Sequence, residues 1–173
     1  HSATKFIDGQ GRGIGGIAVG KEKYLDEISF FCRHSGPALS PFNAWMFSKS
    51  LETLPARMDR HCNNALAVAK SLQDHPNVDW VKYPHLESHP QYDLAQKQMK
   101  KGGGVVSFNI NGGYEAAKQF LDKLNALSLS ANLGDSRTIA THPAPTTHSK
   151  LSDEERAAFN ITPGMIRIAV GLE

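Results

Sequence analysis

The chain has 173 residues, 40% hydrophobic and 21% charged, with a formal net charge of +2. No like-charge run exceeds a few residues and no apolar run approaches the roughly 18 needed for a span, which argues against nucleic acid, a membrane surface or a transmembrane helix. The two cysteines, Cys32 and Cys62, make neither a disulfide framework nor a CxxC pair, and read as reduced side chains of a cytoplasmic protein. In chain order, Gly15–Gly20 (GGIAVG) reads as a short buried strand. Ser40 can cap a helix that opens on Pro41. Leu51, Leu54, Met58, Cys62, Ala65, Ala69 and Leu72 continue it as one apolar stripe. Pro55 lies inside that stripe and is expected to kink or split it, because proline lacks the N–H that the helix needs. After His75-Pro76-Asn77 come a strand (Val78–Tyr83), a polar loop, a short helix (Tyr92–Met99), a strand (Gly103–Ile110) and an amphipathic helix (Tyr114–Leu127). A short strand at Ser128–Ser130 and a long polar loop at Asn132–His148 follow. A capping box, Ser152 with Glu155, opens a short helix, and Met165–Val170 is the last strand. A division near residue 75 separates a glycine-rich part with a long helix (1–75) from a small α/β layer (76–173). The chain opens without Met on a polar motif and closes on the strand pattern IRIAVGLE, which reads as an internal piece of a longer chain.

The opening HSATKFIDGQGRGIGG admits three chemistries. Gly11 to Gly16 match G-x-G-x-x-G, but the dinucleotide mechanism needs a strand before the glycines and a helix after them, and here the strand pattern comes after. Ser2-Ala3-Thr4-Lys5 matches S-x-x-K, with Ser130-Ala131-Asn132 and Lys101-Gly102-Gly103 resembling its companion motifs, but in the wrong order. The third chemistry is a Schiff-base lysine. Lys5 has hydroxyls at Ser2 and Thr4 that could serve a cofactor phosphate, and glycines nearby let main chain approach a ligand. On composition alone a solvent-exposed lysine in a glycine-rich loop remains the simpler reading of the same residues.

Taken whole, SATKFIDGQGRGIGG resembles the cofactor-lysine segment of the trans-sulfuration (Cys/Met metabolism) enzymes that use pyridoxal 5′-phosphate (PLP). GPALSPFNAWMFSKSLETLPARM (36–58), ANLGDSRTIATHPAPTTHSKLSDEER (131–156) and ITPGMIRIAVGLE (161–173) resemble later blocks of that family, in the same order and over nearly the whole chain. The resemblance implies an α/β fold of the PLP-dependent transferase fold type I (aspartate aminotransferase-like), C-terminal portion only. By position, Lys5 resembles the lysine that carries PLP and moves protons, and Ser2 and Thr4 the pair that holds its phosphate. Arg167 resembles the arginine that clamps the substrate α-carboxylate, a task that suits a bidentate guanidinium. Asn132 stands where some members have Ser and is expected to assist at the same carboxylate, a turn or capping role being the alternative. Gln10 replaces a histidine common in relatives and marks a subfamily. His142 and His148 fall in a block that is metal-free in the family, so no metal is expected.

The implied activity is a γ-replacement that converts O-succinylhomoserine and sulfide into L-homocysteine and succinate, in methionine biosynthesis. O-acetylhomoserine sulfhydrylation and the cystathionine γ-synthase or γ-lyase reactions are the alternatives within the family. The remaining N-terminal part of the same protein would bring the acid facing the pyridine nitrogen, the stacking aromatic residue and an arm to the neighbouring subunit. The family assembles as a homotetramer, a dimer of dimers. An isolated 173-residue piece is accordingly expected to be inactive, and a non-catalytic remnant is the reading of a different class.

Overall fold

The computed structural model describes residues 1–173. Its helices begin and end where local chemistry allows. α1 (Glu22–Ser35) stops at Gly36, whose φ of +91° is the left-handed cap that glycine adopts without strain. α2 (Pro41–Leu51) opens on Ser40, whose hydroxyl accepts the Asn43 N–H at 3.1 Å. Pro55 sits in the first turn of α3 (Leu54–Gln73), so the apolar stripe is split in two, as the missing N–H requires. α4 (Tyr92–Gln98) and α5 (Gly113–Asp122) are short. The capping box expected at Ser152 and Glu155 opens α6 (Asp153–Ala158), with reciprocal bonds of 3.2 and 2.8 Å.

Five strands form one sheet: β1 (Val78–Lys82), β2 (Val105–Ile110), β3 (Ser128–Leu129), β4 (Ile139–Thr141) and β5 (Met165–Ala169), in the order β1-β2-β5-β4-β3. All pairs are antiparallel except β3–β4. Along β2, Val106, Phe108 and Ile110 alternate onto the buried face and meet Ile166 and Ile168 of β5, Ala65 and Ala69 of α3, and Ala117 and Leu121 of α5. Fully burying a side chain such as Phe108 or Ile166 contributes roughly 1.5–3 kcal/mol, which makes this cluster the main support of the sheet. Ser107, Arg167 and Thr141 stand directly across from one another and share the opposite face. A second, smaller cluster of Ala3, Met46 and Phe47, joined by Ile7 and Ile17, packs the start of the chain on α2. Because Ala65 and Ala69 belong to the sheet's core, α3 serves the parts on both sides of residue 75.

Three expectations are corrected. Gly15–Gly20 is not a buried strand: it makes a single bridge, Ser2 to Gly16, and Val19 is 79% exposed. An apolar run needs a partner on each edge to become a buried strand, and no strand of this chain reaches it. Glu22–Ser35, for which no element is expected from the sequence pattern, form α1, none of whose residues is buried. The stretch 132–148 is not all loop. It contains β4, whose three residues are all buried between β3 and β5. No helix is long and apolar enough to cross a membrane.

Candidate active site

Lys5 sits in a wide turn, Ala3–Ile7, closed by the Asp8 N–H on the Ala3 carbonyl and the Gly9 N–H on the Lys5 carbonyl, both 2.9 Å. The helical path breaks at Lys5 itself (φ −92°, ψ −126°). The glycine run lies against the turn. Gly15 takes the Ala3 N–H at 2.9 Å on its carbonyl, and its own N–H donates to the Thr4 hydroxyl at 3.1 Å. Behind the turn, the buried Asp8 carboxylate accepts the Arg12 N–H at 2.6 Å and the Arg12 Nε at 2.9 Å. Arg12 also donates to Ser50 Oγ at 2.6 Å, tying the glycine run to α2.

The loop between β3 and β4 comes back onto this turn. Gly134 has φ +82°, and a Cβ there would lie 2.5 Å from the Phe6 nitrogen and 2.8 Å from the Lys5 carbonyl carbon. Only glycine permits that approach. The Ser136 N–H donates to the Gly9 carbonyl at 2.7 Å, which fixes the loop on its other side. Lys5 Nζ then donates to Asn132 Oδ1. On β5, Arg167 Nη2 donates to the Ala131 carbonyl at 2.9 Å and, at 3.3 Å, to the Asn132 carbonyl and Thr141 Oγ1. Its Nε is buried without a partner, and burial lowers its pKa while leaving the guanidinium charged.

The structure thus brings Lys5, Asn132 and Arg167 together: the side chain of Asn132 meets the amine and its main chain meets the guanidinium. An open cleft of about 550 Å³ is lined by Thr4, Gly11, Arg12, Gly13, Ile14, Asn43 and Asn132. Thr4 therefore faces the same space as Asn132, although its hydroxyl is engaged by Gly15. Ser2 is exposed at the edge of the turn and does not line the cleft. His142 and His148 are separate: the buried His142 donates from Nε2 to the Pro163 carbonyl at 2.7 Å, and His148 contacts Thr147. The Lys101 of the rejected acyl-enzyme motif pairs with Asp59 at 2.8 Å. The residues missed from sequence are Asp8, Arg12, Arg57, His61 and Gly134. Asp8 and Arg12 carried the one usable signal, an acid and a base four residues apart; Arg57 and His61 act on main-chain carbonyls, which have no sequence signature.

This donor set fits PLP on the lysine side. Thr4, a cationic Arg12, main chain opened by glycines and Asn132 line one cleft; the Lys5 amine adjoins it through its bond to Asn132, and an unused guanidinium N–H of Arg167 lies buried behind Asn132. No carboxylate or aromatic ring lines the cleft, so the groups that would face the pyridine nitrogen and stack on the ring are not supplied by these residues.

A mixed sheet packed on helices, with a lysine in a wide turn held by α2, α3 and the β3–β4 loop, is an α/β architecture consistent with the PLP-dependent fold type I. The family model for Cys/Met metabolism PLP-dependent enzymes matches residues 1–173, and the chain belongs to that family. It is 50% identical over its full length to an O-succinylhomoserine sulfhydrylase from Pseudomonas aeruginosa, of which it covers 43%. It is 45% identical, again over its full length, to an L-methionine gamma-lyase from Porphyromonas gingivalis, covering 44% of it. The crystal structure of cystathionine gamma synthase from Xanthomonas oryzae pv. oryzae, in complex with aminoacrylate and cysteine, matches the whole chain with a TM-score of 0.94 at 35% identity, over 45% of that chain. The chain thus spans less than half the length of the relatives it matches.

Proposed function

We propose that the protein to which this chain belongs is an O-succinylhomoserine sulfhydrylase and that Lys5 carries its PLP. One observation carries the reading: residues 5 and 132, 127 positions apart, are joined side chain to side chain, with Arg167 held on the main chain of the same Asn132. This supports reading the Lys5 amine as the proton carrier and the Arg167 guanidinium as the carboxylate binder, one on each side of Asn132. Bound PLP supplies an electron sink for negative charge developing at the substrate Cα. Lys5 moves the proton from Cα and serves at Cβ. Arg167 turns its fork to the α-carboxylate, and Asn132 orients the amine and that carboxylate relative to one another. Ser2 and Thr4 would hold the phosphate, which requires Thr4 to exchange its Gly15 contact for the ligand and the exposed Ser2 hydroxyl to turn in from the edge of the cleft. At Cγ the C–O bond breaks, succinate leaves, and sulfide forms the new C–S bond of L-homocysteine.

The identity with the sulfhydrylase supports this reaction over its alternatives, O-acetylhomoserine sulfhydrylation and the cystathionine γ-synthase or γ-lyase reactions. A homotetramer in the cytoplasm is part of the same proposal, as is a division into two domains near residue 75, with α3 packing its Ala65 and Ala69 across that boundary onto the sheet. The test uses the full-length protein with PLP. A visible absorbance band, a borohydride-fixed adduct on Lys5 by peptide mapping, and homocysteine formation from O-succinylhomoserine and sulfide that is faster than from O-acetylhomoserine and sulfide, and faster than cystathionine formation when cysteine replaces sulfide, are expected. An adduct elsewhere overturns the site. Release of methanethiol from methionine as the fastest reaction overturns the sulfhydrylase assignment.

A further inference from the structure

We propose that Arg57 and His61, one turn apart on α3, are positioning residues that hold the Lys5 turn in fixed register with Arg167. The inference rests on the reading that Lys5 carries the cofactor. Breaking the helical path at Lys5 leaves the carbonyls of Phe6 and Ile7 without helical donors, and buried main-chain carbonyls need partners. Arg57 supplies both: Nη1 donates to the Phe6 carbonyl at 2.7 Å and Nη2 to the Ile7 carbonyl at 3.1 Å. The same Nη2 reaches the Ser50 carbonyl at 2.9 Å, and Nε donates to Thr53 Oγ1 at 3.1 Å. One planar guanidinium thus links the turn to the end of α2. Asp8 is engaged by Arg12, so Arg57 is left to bind carbonyls and a hydroxyl instead of forming an ion pair of its own. Gly9, with φ +76°, makes room, because a Cβ there would collide with the guanidinium.

One turn further along α3, His61 is fully buried. Its Nδ1 donates to the Val170 carbonyl at 2.6 Å, and its ring meets Phe6 edge-on at a centroid distance of 5.3 Å. Phe6 is the residue after Lys5, and Val170 lies three residues beyond Arg167. A single turn of α3 therefore touches the chain next to the amine and the chain next to the guanidinium, and sets the distance between them. Misplacement by about 1 Å can slow a reaction by about a hundredfold, so such a gauge has kinetic consequences.

The test compares the full-length protein with its Arg57→Met, Arg57→Lys, His61→Leu and His61→Asn variants. In cofactor-free protein, amide exchange at Asp8 and Gly9 is expected to quicken about tenfold or more in Arg57→Met, as loss of charge-assisted bonds implies. PLP uptake on Lys5, followed by visible absorbance, is expected to slow by about the same factor, with Arg57→Lys intermediate. His61→Leu is expected to lower kcat and raise KM together, and His61→Asn, whose amide keeps a donor toward Val170, to restore most of both. Unchanged exchange and uptake in Arg57→Met overturn the proposal; if that variant does not fold, the same result in Arg57→Lys overturns it. An equal fall in Tm across all four variants with unchanged uptake rates and kcat also overturns it, since that is a purely structural role. Failure of the wild-type protein to take PLP on Lys5 overturns the functional reading and this proposal with it. Normal wild-type uptake that Arg57→Met leaves unchanged overturns this proposal alone.

Discussion

Gly134 decides whether the Asn132 loop can touch the Lys5 turn at all. Its left-handed φ costs a non-glycine residue about 1–2 kcal/mol, and here a Cβ would also meet the main chain of Lys5 and Phe6, which cannot move aside as a flexible side-chain tip can. Gly134→Ala is expected to lower Tm and to weaken PLP uptake together, measured by calorimetry and by absorbance titration. Arg167 has the opposite character, since its task needs a fork and not a small volume. Arg167→Lys keeps the charge and loses the second N–H, so KM for the amino-acid substrate is expected to rise by about ten- to a hundredfold with the fold intact, as charge-assisted bonds of this type imply. An unchanged KM would remove Arg167 from the carboxylate. Lys5, Asn132 and Arg167, which the structure brings together, could be named as candidates from the sequence because each lies in a block whose order along the chain is specific. Gly134 lay inside a quoted block without a legible role, because a missing Cβ leaves no periodic mark, and Asp8 offered only its four-residue spacing to Arg12, which does not tell a buried pair from a surface one.

Among the elements, α3 does the most. Its start was legible from Pro55 and its apolar stripe from the helical spacing, yet its two polar contacts with the Lys5 turn were not. His61 gives it a pH signature. Burial lowers the His61 pKa and outweighs the Val170 hydrogen bond, which raises it; nearby, Arg57 lowers it and Glu173 and Asp135 raise it. The unfolded chain therefore takes up the proton more readily than the folded one. His61's contribution to stability is fully present above its ordinary pKa of about 6.5 and is lost as pH falls from there toward the folded pKa. Urea unfolding between about pH 5 and 7 is expected to show this slope and His61→Asn to flatten it. β4 escaped detection because three residues cannot display a period of two, and their burial comes from neighbours on both edges. α1 carries helical spacing at Leu25, Ile28 and Cys32 and a glycine cap at Gly36, but nothing in the chain packs on it enough to bury any of its residues.

At the scale of the molecule, most of the strongly exposed apolar side chains fall between residues 14 and 45, with Leu129 and Phe159 apart from them. Ile14, Val19, Phe30, Phe31, Phe42 and Trp45 are all more than half exposed, whereas the sheet's core is closed. Surfaces of this kind associate. The isolated 173-residue segment is expected to self-associate with concentration in analytical ultracentrifugation, and the double substitution Phe30→Ser with Phe31→Ser to shift it toward monomer; a segment monomeric at all concentrations contradicts this. The fold class was legible because the strand and helix blocks kept their order, while the sheet's strand order was not, since pairings such as β2 with β5 join distant segments.

The separation of Lys5 from Asn132 also has a consequence in time. Contacts closed over more than a hundred residues form after local ones, because loop-closure entropy must be overcome first. The amine is accordingly expected to meet its partner only once β3, β4 and β5 have aligned, which would make PLP uptake on Lys5 a late event in folding. In refolding full-length protein, the visible absorbance of Lys5-bound PLP is expected to lag the far-ultraviolet signal; simultaneous rise of the two would show that the lysine turn matures on its own.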